Sequence, residues 1–487
     1  MNYFDLAIFI IFSVGTVAFG YLLGKKRQSS DEFTSGGGKM PGWIVGLSIF
    51  ASFCSSISFL GYCSAAFRSD WNAFVFTLSI LPAGLIAMKY FVPFYRGIGS
   101  ISAYSYFEQR FGRWARLYAS AFYLFTQICR SGAILYLLAV PMNVLMGWNI
   151  PLVVTVTGLG IIIYSQKGGL RSVILTEALQ GAILIAGAVV CVIVLLLKMP
   201  AGPGQAFEIC LANNKFSLGA FNGSLVESTF WVCLVYGMFT NLNNFAIDQS
   251  YTQRYCAAPS LKEARKSAFL GSLLTLPVNI VLFMIGSLLF AYYSVYSEAL
   301  PPDMKSDYVF PYFIINVMPK GLVGLMIASI FCAGMSTIAT SVTSSSTIIL
   351  TDFYSYMRPA SSDRAKVRVL RAASFVSGAL GIAVALCFLF VDNALDAWWA
   401  LSSICSGGVL GMFLLAYLCP SAKNPEAVIG VITGVASLVL IAMQTKLTEW
   451  LSIPQFVHIN LGIVISTLII FFLGFLLSSL RKIKRRS

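Results

Sequence analysis

Thirteen stretches of about 20 predominantly apolar residues recur along this chain, and that is the length an α-helix needs to cross the hydrocarbon core of a bilayer. They lie at roughly 4–24, 42–67, 75–93, 118–145, 151–166, 173–197, 230–250, 267–293, 320–350, 371–390, 397–418, 426–444 and 458–480. Lipid offers no water to satisfy backbone amides, so such runs must be helices packed against one another. Charged residues are only 11% of the 487, against roughly 25% in ordinary soluble domains. The sequence predicts an all-α polytopic membrane protein embedded in a lipid bilayer.

The basic residues orient it. With the N-terminus outside, an odd number of crossings puts the C-terminus inside, and all but seven of the 33 Lys and Arg then face the cytoplasm. Arg68, Lys198, Lys215, Lys305, Lys320 and Lys446 fall outside, and Arg130 falls within a span. The first run has no basic residues before it and Lys25, Lys26 and Arg27 after it, as in a retained helix. The basic tail Arg481 to Arg486 reads as a topology anchor. The net charge of +14 is absorbed by this bias and calls for no nucleic acid.

Composition excludes other classes. A single histidine, His458, leaves no material for a His-based metal site or triad. The eleven Cys lie mostly in apolar runs and read as packing residues. No nucleotide-binding G-x-x-x-x-G-K-[ST] sequence occurs, so a transporter of this kind would draw on an ion gradient. No enzymatic acid/base pair stands out, and a channel would lack saturable uptake.

Charges at membrane depth are costly and usually functional. Setting aside span ends such as Asp5, Lys89 and Lys320, three stand within spans: Arg130, Glu177 and Asp248. Arg130 is either an anchor for an anionic solute, with a fork suited to a carboxylate, or the structural partner of Glu177 or Asp248. Glu177 is one turn into its helix, where the macrodipole stabilises it, or else it is an ion ligand. Asp248, near the end of its span, reads as structural.

Hydroxyl clusters are the second signal. Residues Phe50 to Phe59 include Ser52, Cys54, Ser55, Ser56 and Ser58, a composition that unwinds a helix locally and turns carbonyls toward a cavity. In residues 333–347, Ser336, Thr340 and Thr343 recur at helical spacing, with Thr337, Ser341 and Ser344 one step round. Such oxygens suit a hard monovalent cation, and they equally suit close helix packing. A third polar interruption, Thr240 to Asn244, lies five spans after the first, which points to inverted repeats.

In these features the chain resembles the sodium:solute symporter family. The likeness is carried by Tyr164-Ser165-Gln166-Lys167-Gly168-Gly169-Leu170-Arg171-Ser172 with Thr176-Glu177-Ala178-Leu179-Gln180. Gly36 to Trp43, Ser102 to Phe111, and Asp248-Gln249 with Gln253-Arg254-Tyr255 support it, and it runs from residue 1 to about 480. The resemblance implies a LeuT-type core in a single transporter domain: an extra helix in 1–30, a first inverted repeat in 42–250, a second in 230–418, and C-terminal helices in 419–487. It implies alternating access, sodium as co-transported ion, and function as a monomer in the cell membrane.

Within the family the chain is most similar to bacterial sialic acid symporters. By that likeness the main sodium site falls on carbonyls of Ala51, Cys54 and Ala333 and hydroxyls of Ser336 and Thr337. A second sodium site falls on Glu177, Ala339 and Thr340, and Ala339 lacks the hydroxyl expected there. The solute site falls on Phe53, Ser55, Ser58, Thr77, Arg130, Phe239 and Asn241, with Arg130 holding a carboxylate. Sodium is expected to bridge 51–54 to 333–337 before the solute binds. The alternatives to a sugar acid are another monocarboxylate, a neutral sugar, or an amino acid such as proline.

Overall fold

Each of the thirteen apolar runs is helical in the computed structural model, which describes residues 3–23, 29–391, 393–405, 408–451 and 454–484. In chain order they give α1 (Tyr3–Leu23), the pair α2 (Gly42–Phe53) and α3 (Ile57–Arg68), α4 (Asn72–Ile98), α5 (Arg113–Met146), α6 (Ile150–Ile163) and α7 (Gly169–Leu197). There follow α8 (Phe230–Ile247) with α9 (Gln249–Ala257), α10 (Leu261–Val295), α11 (Leu322–Ile348) and α12 (Asp363–Cys387). The chain closes with the pair α13 (Ala394–Cys405) and α14 (Val409–Leu418), then α15 (Asn424–Leu451) and α16 (Gly462–Lys484). No strand occurs among the described residues. Lys25, Lys26, Arg27, Arg485 and Arg486 lie outside them.

Among the described residues nine helices are long and apolar enough to cross a membrane, and ten when the bent pair α2–α3 counts as one span. The other three expected spans fall short for visible reasons. The helix α6 is short, α8 carries the polar stretch Thr240 to Asn244, and the run at 397–418 is divided between α13 and α14.

Hydrogen bonds between connections sort them into two ends of the bundle. At one end Ser102 reaches Asp352, Arg96 reaches the carbonyls of Tyr255 and Ala258, and the Gly42 amide reaches Glu263. At the other, the Trp71 amide reaches the Ser217 carbonyl, Ser64 reaches Ser306, and the His458 amide reaches the Leu225 carbonyl. Alternating spans require such a division.

The core is organised around α11, whose apolar stretch is 89% buried, while that of α1 is only 17% buried and faces the surroundings. Even so, α1 is anchored: Asp5 Oδ1 accepts from the Gly321 and Gly324 amides at 2.6 and 3.1 Å. These are orphan donors at the start of α11, which a carboxylate satisfies with favourable dipole energy. Two glycines have geometric duties. Gly169, at φ 58°, makes the break between α6 and α7. A Cβ on Gly286 of α10 would sit 2.3 Å from the Cys63 carbonyl oxygen, so only glycine lets α3 lie this close.

Candidate functional site

The serine-rich stretch of the second run does unwind. Helix α2 stops at Phe53, Cys54 takes φ −83° and ψ 85°, and α3 leaves at 55° to α2 after a π-turn at Ile57–Gly61. A span broken in this way offers backbone oxygens that an unbroken helix would use itself. Against the break packs α11. Ser336 Oγ donates to the carbonyls of Ala51 at 3.1 Å and Ala333 at 2.9 Å. Thr337 Oγ1 donates to Ser52 O at 3.3 Å and Ala333 O at 3.2 Å. Of the expected main sodium ligands, Ala51, Ala333, Ser336 and Thr337 thus meet directly, with Cys54 at the break itself. The donor set is neutral, all oxygen and buried, which fits a hard monovalent cation without burying net charge.

A cavity of about 100 Å³ opens beside this junction. Four of the expected solute contacts, Phe53, Ser55, Ser58 and Arg130, line it, together with Gln127, Asn243 and Asn244. Half-buried Arg130 sends Nη2 to the carbonyl of Ser52 at 2.9 Å. No described carboxylate lies within ion-pair distance of it, so the pairing with Glu177 or Asp248 is not formed. Asp248 is the cap of α9, its Oδ1 accepting from the Ser250 amide at 2.7 Å, while Oδ2 accepts from Gln127 Nε2 at 3.2 Å. The cap is a structural role, and Asp248 also lines the cavity.

Three expected solute contacts are elsewhere. Thr77 is fully buried and its hydroxyl accepts from Asn279 Nδ2 at 3.1 Å. Asn241 is turned to α4, where Nδ2 donates to Phe76 O at 3.2 Å and Ser79 Oγ at 2.8 Å. Phe239 packs partly buried against the core and does not line the cavity. Between those two residues, Thr240 does line it. Asn243 Oδ1 is buried and without a protein partner. Gln127 was legible after the fact, since it sits one turn before Arg130 on the same helix face.

The break in the second half is also displaced. Thr240 to Asn244 is helical, and the chain turns at Asp248, with ψ 122°, to begin α9. This sends Arg254 into the bundle, where its side chain is 1% exposed. Its Nη2 meets Glu177 Oε2 at 2.7 Å and Oε1 at 2.9 Å. Ser48, Ser52 and Thr340 also donate to the Glu177 carboxylate. The expected second sodium site at Glu177 and Thr340 therefore already holds a cation, the guanidinium.

Motifs remote in sequence meet around α9. The Ala103 amide donates to Gln249 Oε1 at 2.8 Å, the Met40 amide to the Ala257 carbonyl at 3.0 Å, and Gln253 Nε2 to Thr347 Oγ1 at 3.0 Å. At the same end Asp352, buried, accepts from Arg116 Nη2 at 2.6 Å and Ser102 Oγ at 3.0 Å.

The cavity is asymmetric along the bundle. From α5 it takes only residues 119 to 130, the half toward the 99–113 connection. Toward the other end Phe76, Tyr236 and Trp399 form a closed triangle, with ring centroids 5.5 to 5.6 Å apart. Beyond them Arg68 and Asp396 pair at 2.9 Å across α3 and α13.

Comparison with known proteins accords with this geometry. The chain is 30% identical over 438 residues to a sodium/sialic acid symporter of Aliivibrio fischeri, covering 88% of this chain and 86% of that one. It is likewise 30% identical to one of Proteus mirabilis, over 90% of this chain and 89% of the relative. A human sodium-coupled monocarboxylate transporter is 27% identical, over 94% of this chain and 73% of its own length. Among solved structures, a substrate-bound, outward-open Na⁺-coupled sialic acid symporter superposes with a TM-score of 0.90, at 27% identity and 98% coverage of both chains. The nucleobase-cation symporter Mhp1 shares the fold at a TM-score of 0.59 and 13% identity. The family model for sodium:solute symporters matches residues 33–434, and the chain belongs to the sodium:solute symporter family.

Proposed function

We propose that this protein is a sodium-coupled symporter for a small solute bearing a carboxylate, of the sugar-acid class that includes sialic acid. One observation carries the reading: a guanidinium in the cavity wall, unpaired with any described carboxylate, donates to the same backbone segment that forms the ion site. A carboxylate is the natural second partner for that fork. The names of the two bacterial relatives support the sugar-acid class.

In this reading thirteen spans cross the bacterial cell membrane with the N-terminus outside, the basic end of the bundle being cytoplasmic. Two inverted five-span repeats, from α2 to α7 and from α8 to α14, form the core, and the protein works as a monomer. Sodium is held by Ala51, Cys54, Ala333, Ser336 and Thr337, fixing the broken span against α11. The solute then sits between Ser55, Ser58 and Arg130. The aromatic triangle closes the outer side while the cavity extends inward. Sodium and solute must tighten each other's binding by the same factor.

The small cavity and the Phe53 ring in its wall favour a second reading, a smaller monocarboxylate. Thermal stabilisation of the purified protein separates the two. N-acetylneuraminate is compared with other sugar acids, short monocarboxylates, neutral sugars and proline, each with and without sodium. A sodium-enhanced shift with N-acetylneuraminate supports the sugar acid, one confined to short acids supports the second reading, and one with neutral sugars alone removes the carboxylate.

A further inference from the structure

Glu177 and Arg254 are the most deeply buried ion pair among the described residues, with side chains 0% and 1% exposed. Four oxygens surround Arg254 Nη2: Ser52 Oγ at 2.7 Å, Thr340 Oγ1 at 2.5 Å, and the Glu177 oxygens at 2.7 and 2.9 Å. That is the arrangement of an ion site with a nitrogen at its centre. Of the other nitrogens, Nε donates to Ser48 Oγ at 2.8 Å and Nη1 to the Ser250 carbonyl. An ionised carboxylate has about four lone-pair sites, and those of Glu177 are taken by Arg254 and three hydroxyls.

We propose that the Arg254 guanidinium is a fixed cation standing in place of a second transported sodium at Glu177, so that one sodium accompanies each solute. The proposal rests on the sodium-symport reading above and sets its stoichiometry. As built, the cluster is neutral. A sodium ion entering it would leave a net positive charge in a dry site and break hydrogen bonds already made, both strongly unfavourable. Position 339 is Ala and offers no side-chain oxygen in compensation. A tethered cation also loses no translational freedom on docking and cannot leave with the cargo.

The fixed cation has a second duty. Ser52 gives its hydroxyl to this cluster and its carbonyl to Thr337 and Arg130. The ion pair therefore braces, in every state of loading, the segment that a second sodium would otherwise organise. A one-sodium cycle with a monovalent anion moves no net charge. A tenfold sodium gradient then supports about tenfold accumulation, independent of membrane potential.

The test counts sodium by equilibrium binding of radioactive sodium to the purified full-length protein. The wild type is expected to bind one ion per chain with a Hill slope of 1. Arg254→Gln, which frees the Glu177 carboxylate, is expected to bind two. Arg254→Lys, which keeps a charge, and the double variant Arg254→Gln/Glu177→Gln are expected to return to one. Two ions on the wild type overturn the proposal whatever the variants do, as does Arg254→Gln folding and still binding one. A wild type that binds none overturns the symport reading itself, and the one-sodium count with it.

Discussion

Arg130 Nη2 and Thr337 Oγ1 donate to one and the same acceptor, the carbonyl oxygen of Ser52, at 2.9 and 3.3 Å. A single backbone carbonyl thereby joins the guanidinium in the cavity wall to a hydroxyl of the proposed ion site, and its two lone pairs are both engaged. In the proposed cycle, a solute carboxylate that draws Arg130 away leaves this oxygen free to face a cation. A cation beside it weakens the hold of Ser52 on Arg130. In the proposed cycle the reciprocal coupling of sodium and solute would run through this one oxygen.

Arg130→Ala is accordingly expected to lower affinity for an acidic solute by at least about 30-fold, the low end for truncating a buried charged partner. Arg130→Lys should recover only part, because an ammonium lacks the bidentate fork. Solute titrations followed by tryptophan fluorescence check both. Affinity unchanged in Arg130→Ala would place the solute elsewhere.

Ser336→Ala and Thr337→Ala each remove one oxygen from the proposed ion site. A lost hydrogen-bond-strength contact of about 1 to 2 kcal/mol corresponds to roughly a 5- to 30-fold rise in half-saturating sodium. Uptake measured against sodium concentration checks this, with maximal rate at saturating sodium changing less than the midpoint.

The two ionic contacts at opposite ends should differ in stability. Arg68 and Asp396 are 47% and 54% exposed, so Arg68→Ala should cost no more than about 1 kcal/mol. Asp352 is fully buried against Arg116, and breaking such a pair costs about 3 kcal/mol or more. Melting curves of Arg68→Ala and Asp352→Ala should therefore separate, the second being several degrees lower.

Removing the Trp399 ring should open the far end of the cavity. A thiol at Ser402→Cys, which lines the cavity, is expected to react with an external maleimide faster when Trp399→Ala is also present. Equal rates would show that the aromatic triangle is not the closing layer.

The helices were legible because apolar run length is a signal that lipid imposes on sequence. The break at Cys54 was legible too, since Ser and Cys in an apolar span compete with the helix. The second break was not. The run Thr240 to Asn244 looked like the interruption, yet its helix is intact, with Asn241 bonded across to Ser79 and Asn243 and Asn244 turned to the cavity. The turn is made by Asp248 capping a new helix, an ordinary aspartate cap hidden beside a more conspicuous polar cluster. Arg254 was missed for the same reason. A linear reading ends the span near residue 250 and leaves Arg254 among cytoplasmic charges, whereas α9 carries it back between α2 and α11 to Glu177. Thr77 and Asn241 were misplaced because composition gives depth in a bundle, not which neighbour a buried helix face meets.

Uptake into sealed proteoliposomes driven by an inward sodium gradient at zero potential is the decisive measurement of sodium-coupled carboxylate symport. N-acetylneuraminate or a smaller carboxylate is expected to accumulate, the accumulation collapsing when sodium is equal on both sides and being abolished in Arg130→Ala. Uptake indifferent to sodium, or sodium-driven uptake of a neutral sugar undiminished in Arg130→Ala, would contradict it.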